Sequence, residues 1–181
     1  MPNVPTIIRD LPYFERPTPI TVRGHEYRVH SYQVVLWVSV THAAVETLDP
    51  NTPRFPAVFD PGFTHNFLIR DDQLLQWAGL RAEHLAEQGQ IKPHGEPVPL
   101  RAANVWLQPN LPGERDKFSD APPFCLELDS DIAVCPSTMV LAPRLPLLGL
   151  RALQIADLEI LINRRPFRVT IRTRRKFWPF W

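Results

Sequence analysis

Apolar positions along this chain come in short runs cut by prolines and polar turns, with little helical periodicity. Tyr32–Val40 reads YQVVLWVSV, a β-branched and aromatic run that predicts a strand buried on both faces. Phe55–Phe59 predicts a second apolar strand, and it runs straight into Asp60-Pro61-Gly62. Ile20–Arg23 and Glu26–His30 flank Gly24-His25 and predict a small hairpin. Leu100–Gln108, Phe124–Leu128, Ile132–Cys135 and Leu145–Leu148 predict further strands; Asp129-Ser130-Asp131 between the middle two predicts that they form a hairpin. Leu158–Asn163 and Phe167–Arg172 predict a terminal hairpin. Helix signals are few. Asp71 and Asp72 suit the first turn of a helix beginning near Arg70, where carboxylates meet the positive end of the dipole, and Gly79 ends its apolar cluster. Arg81–Gln88 predicts a second helix stopped by Gly89, and Leu150–Ile155 a further turn or two. Pro109–Pro123 is polar and rich in turn residues, so it reads as a surface loop.

Composition sharpens this picture. There are 21 prolines against 7 glycines in 181 residues, well above the usual proline share of about 5 %. Proline at that density breaks long helices and confines strands to short runs, which excludes a helical bundle. Residues 1–19 predict an extended arm, residues 20–172 one mainly β domain with an insertion around 81–123, and residues 173–181 a basic–aromatic tail. A hydrophobic share of 44 % supplies one substantial core.

Lys plus Arg is 20 and Asp plus Glu is 19, a net charge of +1, which lacks the basic excess of a dedicated nucleic-acid binder. The local exception is Arg164–Trp181, with seven basic residues among aromatics. It reads either as a patch for anionic membrane or nucleic acid, or as a tail packed on its own domain or on a partner chain; the second reading is preferred. No window approaches 18 apolar residues, so no membrane span is expected. The N-terminus lacks a basic, then long apolar, leader, and a cytoplasmic location is expected. Cys125 and Cys135 are too few for a disulfide framework and read as packed, reduced thiols. The six histidines complete no metal-ligand spacing; His25 and His30, for instance, fall on opposite faces of strand-like sequence. No metal and no other cofactor is expected, and no phosphate loop or nucleophile motif occurs.

The segment that carries a chemical signal is Phe55–Ile69, FPAVFDPGFTHNFLI. An apolar strand delivers one carboxylate, Asp60, into a turn whose Gly62 is read as opening a backbone path closed to other residues. Downstream, Leu147-Leu148-Gly149 ends an apolar strand at a glycine, which lets another backbone lie close. Asp60 can also be read plainly, as a turn carboxylate bonded to nearby backbone N–H groups.

Together these two segments resemble the retropepsin-like aspartic proteases. Asp60 falls on the catalytic aspartate, Gly62 on the glycine of the strand–Asp–Thr/Ser–Gly pattern, and Thr64-His65-Asn66-Phe67 on its continuation. Leu147-Leu148-Gly149 falls on the hydrophobic-hydrophobic-Gly element that precedes a short helix. The resemblance implies a mainly β, closed barrel-like retropepsin domain with one or two short helices. Gln90–Gln108 would then occupy the place of a flap closing over bound peptide. It also implies an endopeptidase acting on a peptide or protein substrate. Hydrolysis there needs two carboxylates sharing one proton, and this chain has one such motif, so Asp60 would come from each chain of a homodimer. Two positions depart from the pattern. Pro61 stands where the family has Thr or Ser and offers neither a hydroxyl nor an N–H, and Phe63 is larger than the residue usual there. Pro61 keeps a second reading open, the same fold without catalysis, as a binding or scaffold protein. A third is a nucleic-acid accessory module using the basic tail.

Overall fold

A computed structural model describes residues 5–128, 131–163 and 165–174; the basic–aromatic tail from residue 175 onward lies outside them. The chain is mainly β. Its strands are β1 (Thr6–Pro12), β2 (Thr18–Val22), β3 (His25–Val29), β4 (Val34–His42), β5 (Phe55–Asp60), β6 (Phe67–Arg70), β7 (Glu87–Ile91), β8 (Val98–Leu107), β9 (Phe124–Leu126), β10 (Asp131–Cys135), β11 (Leu147–Gly149), β12 (Leu158–Asn163) and β13 (Arg168–Thr173). Two short helical pieces, α1 (Asp71–Gln73) and α2 (Leu150–Ile155), interrupt them. No helix is long and apolar enough to cross a membrane among the described residues.

The main sheet runs β10-β6-β11-β5-β4-β8, and β8 returns to pair with β10, so the sheet closes into a ring. Alternation along its strands sorts the apolar residues onto two faces. Phe55, Ala57 and Phe59 of β5 lie on one face with Val34, Leu36 and Val38 of β4, and join Phe67, Ile69 and Leu148 in a single core. The opposite face has its own smaller cluster, Leu68, Val98, Ala133 and Cys135, flanked by Phe63 and Leu147. Strand β4 is covered on both sides, as its unbroken apolar run predicts, and its buried hydroxyls are satisfied. Ser39 donates to the Pro53 carbonyl at 2.8 Å and accepts from the Gln108 amide at 2.9 Å, while the Trp106 indole donates to Thr41 Oγ1 at 2.9 Å.

Several local expectations are overturned by tertiary pairing. The N-terminal arm is in part a strand: β1 pairs with β13 and buries Ile7, Ile8 and Leu11, forming a separate sheet β1-β13-β12. The helix expected over Arg81–Gln88 is only a 3₁₀ turn at Ala82–His84, after which the chain becomes β7 and pairs with β8. Gly89, at φ +144°, sits where that pairing slips register, inside a strand rather than at a helix end. Phe124–Leu128 and Ile132–Cys135 do not pair with each other. Strand β8 is long enough to take β9 at its far end and β10 near its start, so the two dock one after the other along β8. The 81–123 stretch therefore supplies β8, which closes the ring. The expected helix near Arg70 is one turn of α1 continued by a π-type turn, Leu74–Ala78, and capped by Gly79 at φ +72°. The β2–β3 hairpin, α2 and the β12–β13 hairpin fall where the sequence places them.

The loop after β8 is tethered by one side chain. Asn110, 5 % exposed, accepts from the Arg9 N–H at 2.8 Å, and its amide nitrogen lies within 3.0 Å of the carbonyls of Arg9, Leu111 and Glu114. Asn110→Ala removes these contacts and leaves partly buried backbone groups without their partner. It should cost about 2 kcal/mol in urea unfolding, a loss that a matched substitution of exposed Asp120 should not reproduce.

Candidate active site

Asp60 is the last residue of β5, half-buried, on the same face as Val58. Its position depends on β11, which is wedged between the two strands that flank the aspartate turn. Strand β11 runs parallel to β5, with Leu147 opposite Val58 and Gly149 opposite Asp60, and antiparallel to β6, with Leu148 opposite Phe67. The wedge continues into both loops: Val58 N–H donates to the Pro146 carbonyl at 2.8 Å, and Gly149 N–H to the Asn66 carbonyl at 2.9 Å. The two segments carrying the chemical signal, 87 residues apart on the numbering of Gly149 and Gly62, are thus adjacent in space.

Gly149 is required by space. A Cβ there would stand 1.9 Å from the His65 carbonyl oxygen and 2.7 Å from that of Phe63. Its φ of −81° suits any residue, so only the crowding selects glycine. Gly62 is corrected by the same geometry. Its backbone is not left-handed, and a Cβ would meet Asp60 Oδ1 at 3.2 Å. The glycine is needed for closeness to the carboxylate and not for an otherwise forbidden backbone path.

The turn itself is tight. Asp60 Oδ1 accepts the Gly62 N–H at 2.9 Å, and the Phe63 N–H donates to the Asp60 carbonyl at 3.1 Å. The turn-carboxylate role of Asp60 is therefore real, and it engages one oxygen. Among the described residues no cation pairs with the carboxylate, which leaves Oδ2 open to a water or a second acid. Pro61, Gly62 and Thr64 are exposed around it.

Phe63 closes one flank. Its ring meets His65 edge-on at 5.6 Å between centroids and, with Leu68, Leu147 and Pro93 from the tip of the β7–β8 hairpin, lines an apolar cavity of about 100 Å³. His65 has a pKa held below its ordinary 6.5, first by burial and then by the positive charge of Arg151. Asn66 has a structural role that its residue type does not announce. It is buried, its amide donates to the Leu128 carbonyl at 3.2 Å, and its backbone carbonyl receives Gly149. In sequence it stands out only as part of the Thr64-His65-Asn66-Phe67 continuation, a polar residue directly before an apolar strand.

Both cysteines are free. Burial pushes the Cys135 thiol up to about 11 and raises Cys125 as well, so neither is a ready nucleophile. No cluster of three or more His, Cys, Asp or Glu side chains suited to a metal lies among the described residues. Comparison of the chain with protein-family models, with curated proteins and with solved structures returns no match.

Two measurements test this geometry. Gly149→Ala must push two carbonyls aside and should destabilise the fold by about 3 kcal/mol, whereas Gly62→Ala should cost about 1 kcal/mol or less, both read by denaturant unfolding. In an NMR titration His65 should protonate below 6.5, and Arg151→Gln should move it part of the way back, since burial, the larger cause, persists. With the folded value depressed, the contribution of His65 is present above the unfolded pKa and is lost as pH falls through the folded one.

Proposed function

We propose that this chain is a retropepsin-like aspartic endopeptidase that works as a homodimer, with Asp60 the single catalytic carboxylate of each protomer. The observation that carries the reading is the wedge of β11 between β5 and β6, which fixes Asp60 beside Gly149 at the mouth of a tight turn. A strand tip held on both sides by hydrogen bonds presents its carboxylate with little freedom, as chemistry at a shared water demands.

In the dimer two Asp60 carboxylates face one water and share one proton, because adjacent like charges do not both ionise cheaply. The ionised carboxylate takes a proton from the water as its oxygen attacks the peptide carbonyl carbon. The protonated one gives its proton to the carbonyl oxygen. The resulting tetrahedral diol then loses the amine as the C–N bond breaks, the leaving nitrogen taking the proton held by the first carboxylate and the diol returning one to the second. The β7–β8 hairpin, whose Pro93 reaches the Phe63 wall, supplies the cover that excludes bulk water.

A second copy needs a surface. Among the described residues β12 pairs only with β13, leaving an open edge, and its Leu161 and Ile162 are 37 % and 53 % exposed. An apolar, unpaired edge is a template for another strand.

Pro61 favours the alternative, a non-catalytic binding protein of the same fold. It withholds the hydroxyl and the N–H by which the two aspartate turns would grip one another. The chemistry separates the readings. Asp60→Asn should abolish cleavage of a diverse peptide library while leaving fold and mass unchanged, and Pro61→Thr should raise the rate by about tenfold or more. Activity should be bell-shaped on the acid side of neutrality, as one shared proton requires. Wild type and Pro61→Thr both inert between about pH 3 and 7 would transfer the assignment to the binding protein. Light scattering should give twice the 20.8 kDa of one chain, and Ile162→Lys should halve that mass.

A further inference from the structure

A second pocket, larger than the cavity beside Phe63, does not contain Asp60. It is an open pocket of about 510 Å³ on the outer face of β4, bounded by Phe14, Ile20, Val35, Trp37, Arg115 and Arg168. That volume falls within the range of small-molecule sites. Val35 and Trp37 alternate along β4 and so project from one face, and Ile20 of β2 and Phe14 complete an apolar floor, two of its four residues aromatic. The floor is braced from behind: Trp37 meets Phe118 edge-on at 5.5 Å, and the Arg54 guanidinium lies 4.7 Å from the Phe118 ring.

The rim is cationic and held in place. The Arg115 guanidinium stands 4.4 Å from the Phe14 ring centroid, donating through Nε to the Pro12 carbonyl at 3.1 Å and through Nη2 to the Tyr13 carbonyl at 3.2 Å. These partners are neutral, so they orient the guanidinium without cancelling its charge. Among the described residues neither Arg115 nor Arg168 forms an ion pair. Of the two rim carboxylates, Glu114 is engaged by Lys117 at 3.3 Å and Asp116 is unpaired. The rim thus carries two arginines without an ion-pair partner against one free carboxylate. The loop bearing Arg115 is tethered to β1 through Asn110, so the site exists before any ligand arrives and little ordering cost attends binding.

We propose that this cavity binds a small aromatic carboxylate, with its ring on the Trp37 floor and its carboxylate between Arg115 and Arg168. The guanidinium fork matches a planar carboxylate, and Arg115 keeps N–H donors free after serving the two backbone carbonyls. The site is separate from Asp60 chemistry and does not rest on the peptidase reading.

The probe pair is indole-3-propionate and its neutral amide, titrated into the full chain by calorimetry. The acid should bind about fivefold or more tighter than the amide, a margin that shrinks with salt. Arg168→Gln should erase most of that margin while leaving the amide unchanged. Ile20→Trp, which fills the cavity from a partly exposed position, should abolish binding of both, with circular dichroism confirming the fold. Asp60→Asn should bind the acid like wild type. Equal affinity for acid and amide, no binding of the acid up to about 5 mM, or an unchanged margin in Arg168→Gln would each overturn the proposal.

Discussion

Everything around Asp60 depends on the absence of one methyl group. At Gly149 the backbones of β11 and of the Phe63–His65 segment approach so closely that any Cβ would penetrate a carbonyl oxygen. That approach lets β11 enter between β5 and β6, hydrogen-bond to both and lock the ends of the aspartate turn. Without it, β5 and β6 would have no common neighbour and the turn between them would be an ordinary exposed loop. The carboxylate's orientation is therefore a consequence of backbone packing far away in sequence, and only secondarily of the turn's own Gly62.

The same wedge organises the rest of the molecule. Its Leu148 enters the main core with Phe59 and Phe67, while Leu147 faces outward to the smaller cluster beneath β8. One three-residue strand thus joins both apolar layers. Directly after it α2 turns the chain toward β12, so the outer sheet that holds the open apolar edge is positioned from the same point. Closure of the ring by β8 and β10 keeps these parts in fixed relation.

The two faces of β4 and β5 carry different kinds of surface. Inward residues make the core. Outward, Val58 and Asp60 share a face with Leu147, and on the neighbouring strand Val35 and Trp37 floor the large cavity. Strand alternation alone places the carboxylate and the cavity on one side of the sheet. The arginines at the cavity rim come from elsewhere, Arg115 from the loop after β8 and Arg168 from β13.

The sequence by itself determined the mainly β class, the buried strands β4 and β5, the β2–β3 and β12–β13 hairpins and α2, and it singled out Asp60 and Leu147-Leu148-Gly149 without pairing them. These are legible because they rest on local periodicity and on residues with few structural uses, such as a glycine ending an apolar strand. Tertiary structure alone decided that Thr6–Pro12 is a strand, that Glu87–Ile91 is not helical, and that β9 and β10 both dock on β8. Each of those is a choice of hydrogen-bonding partner, and a partner distant in the chain leaves no mark on local pattern. The same holds for Asn110, Asn66 and Arg115. A lone polar residue in a proline-rich loop reads as solvent-facing until another segment brings it the carbonyls it binds.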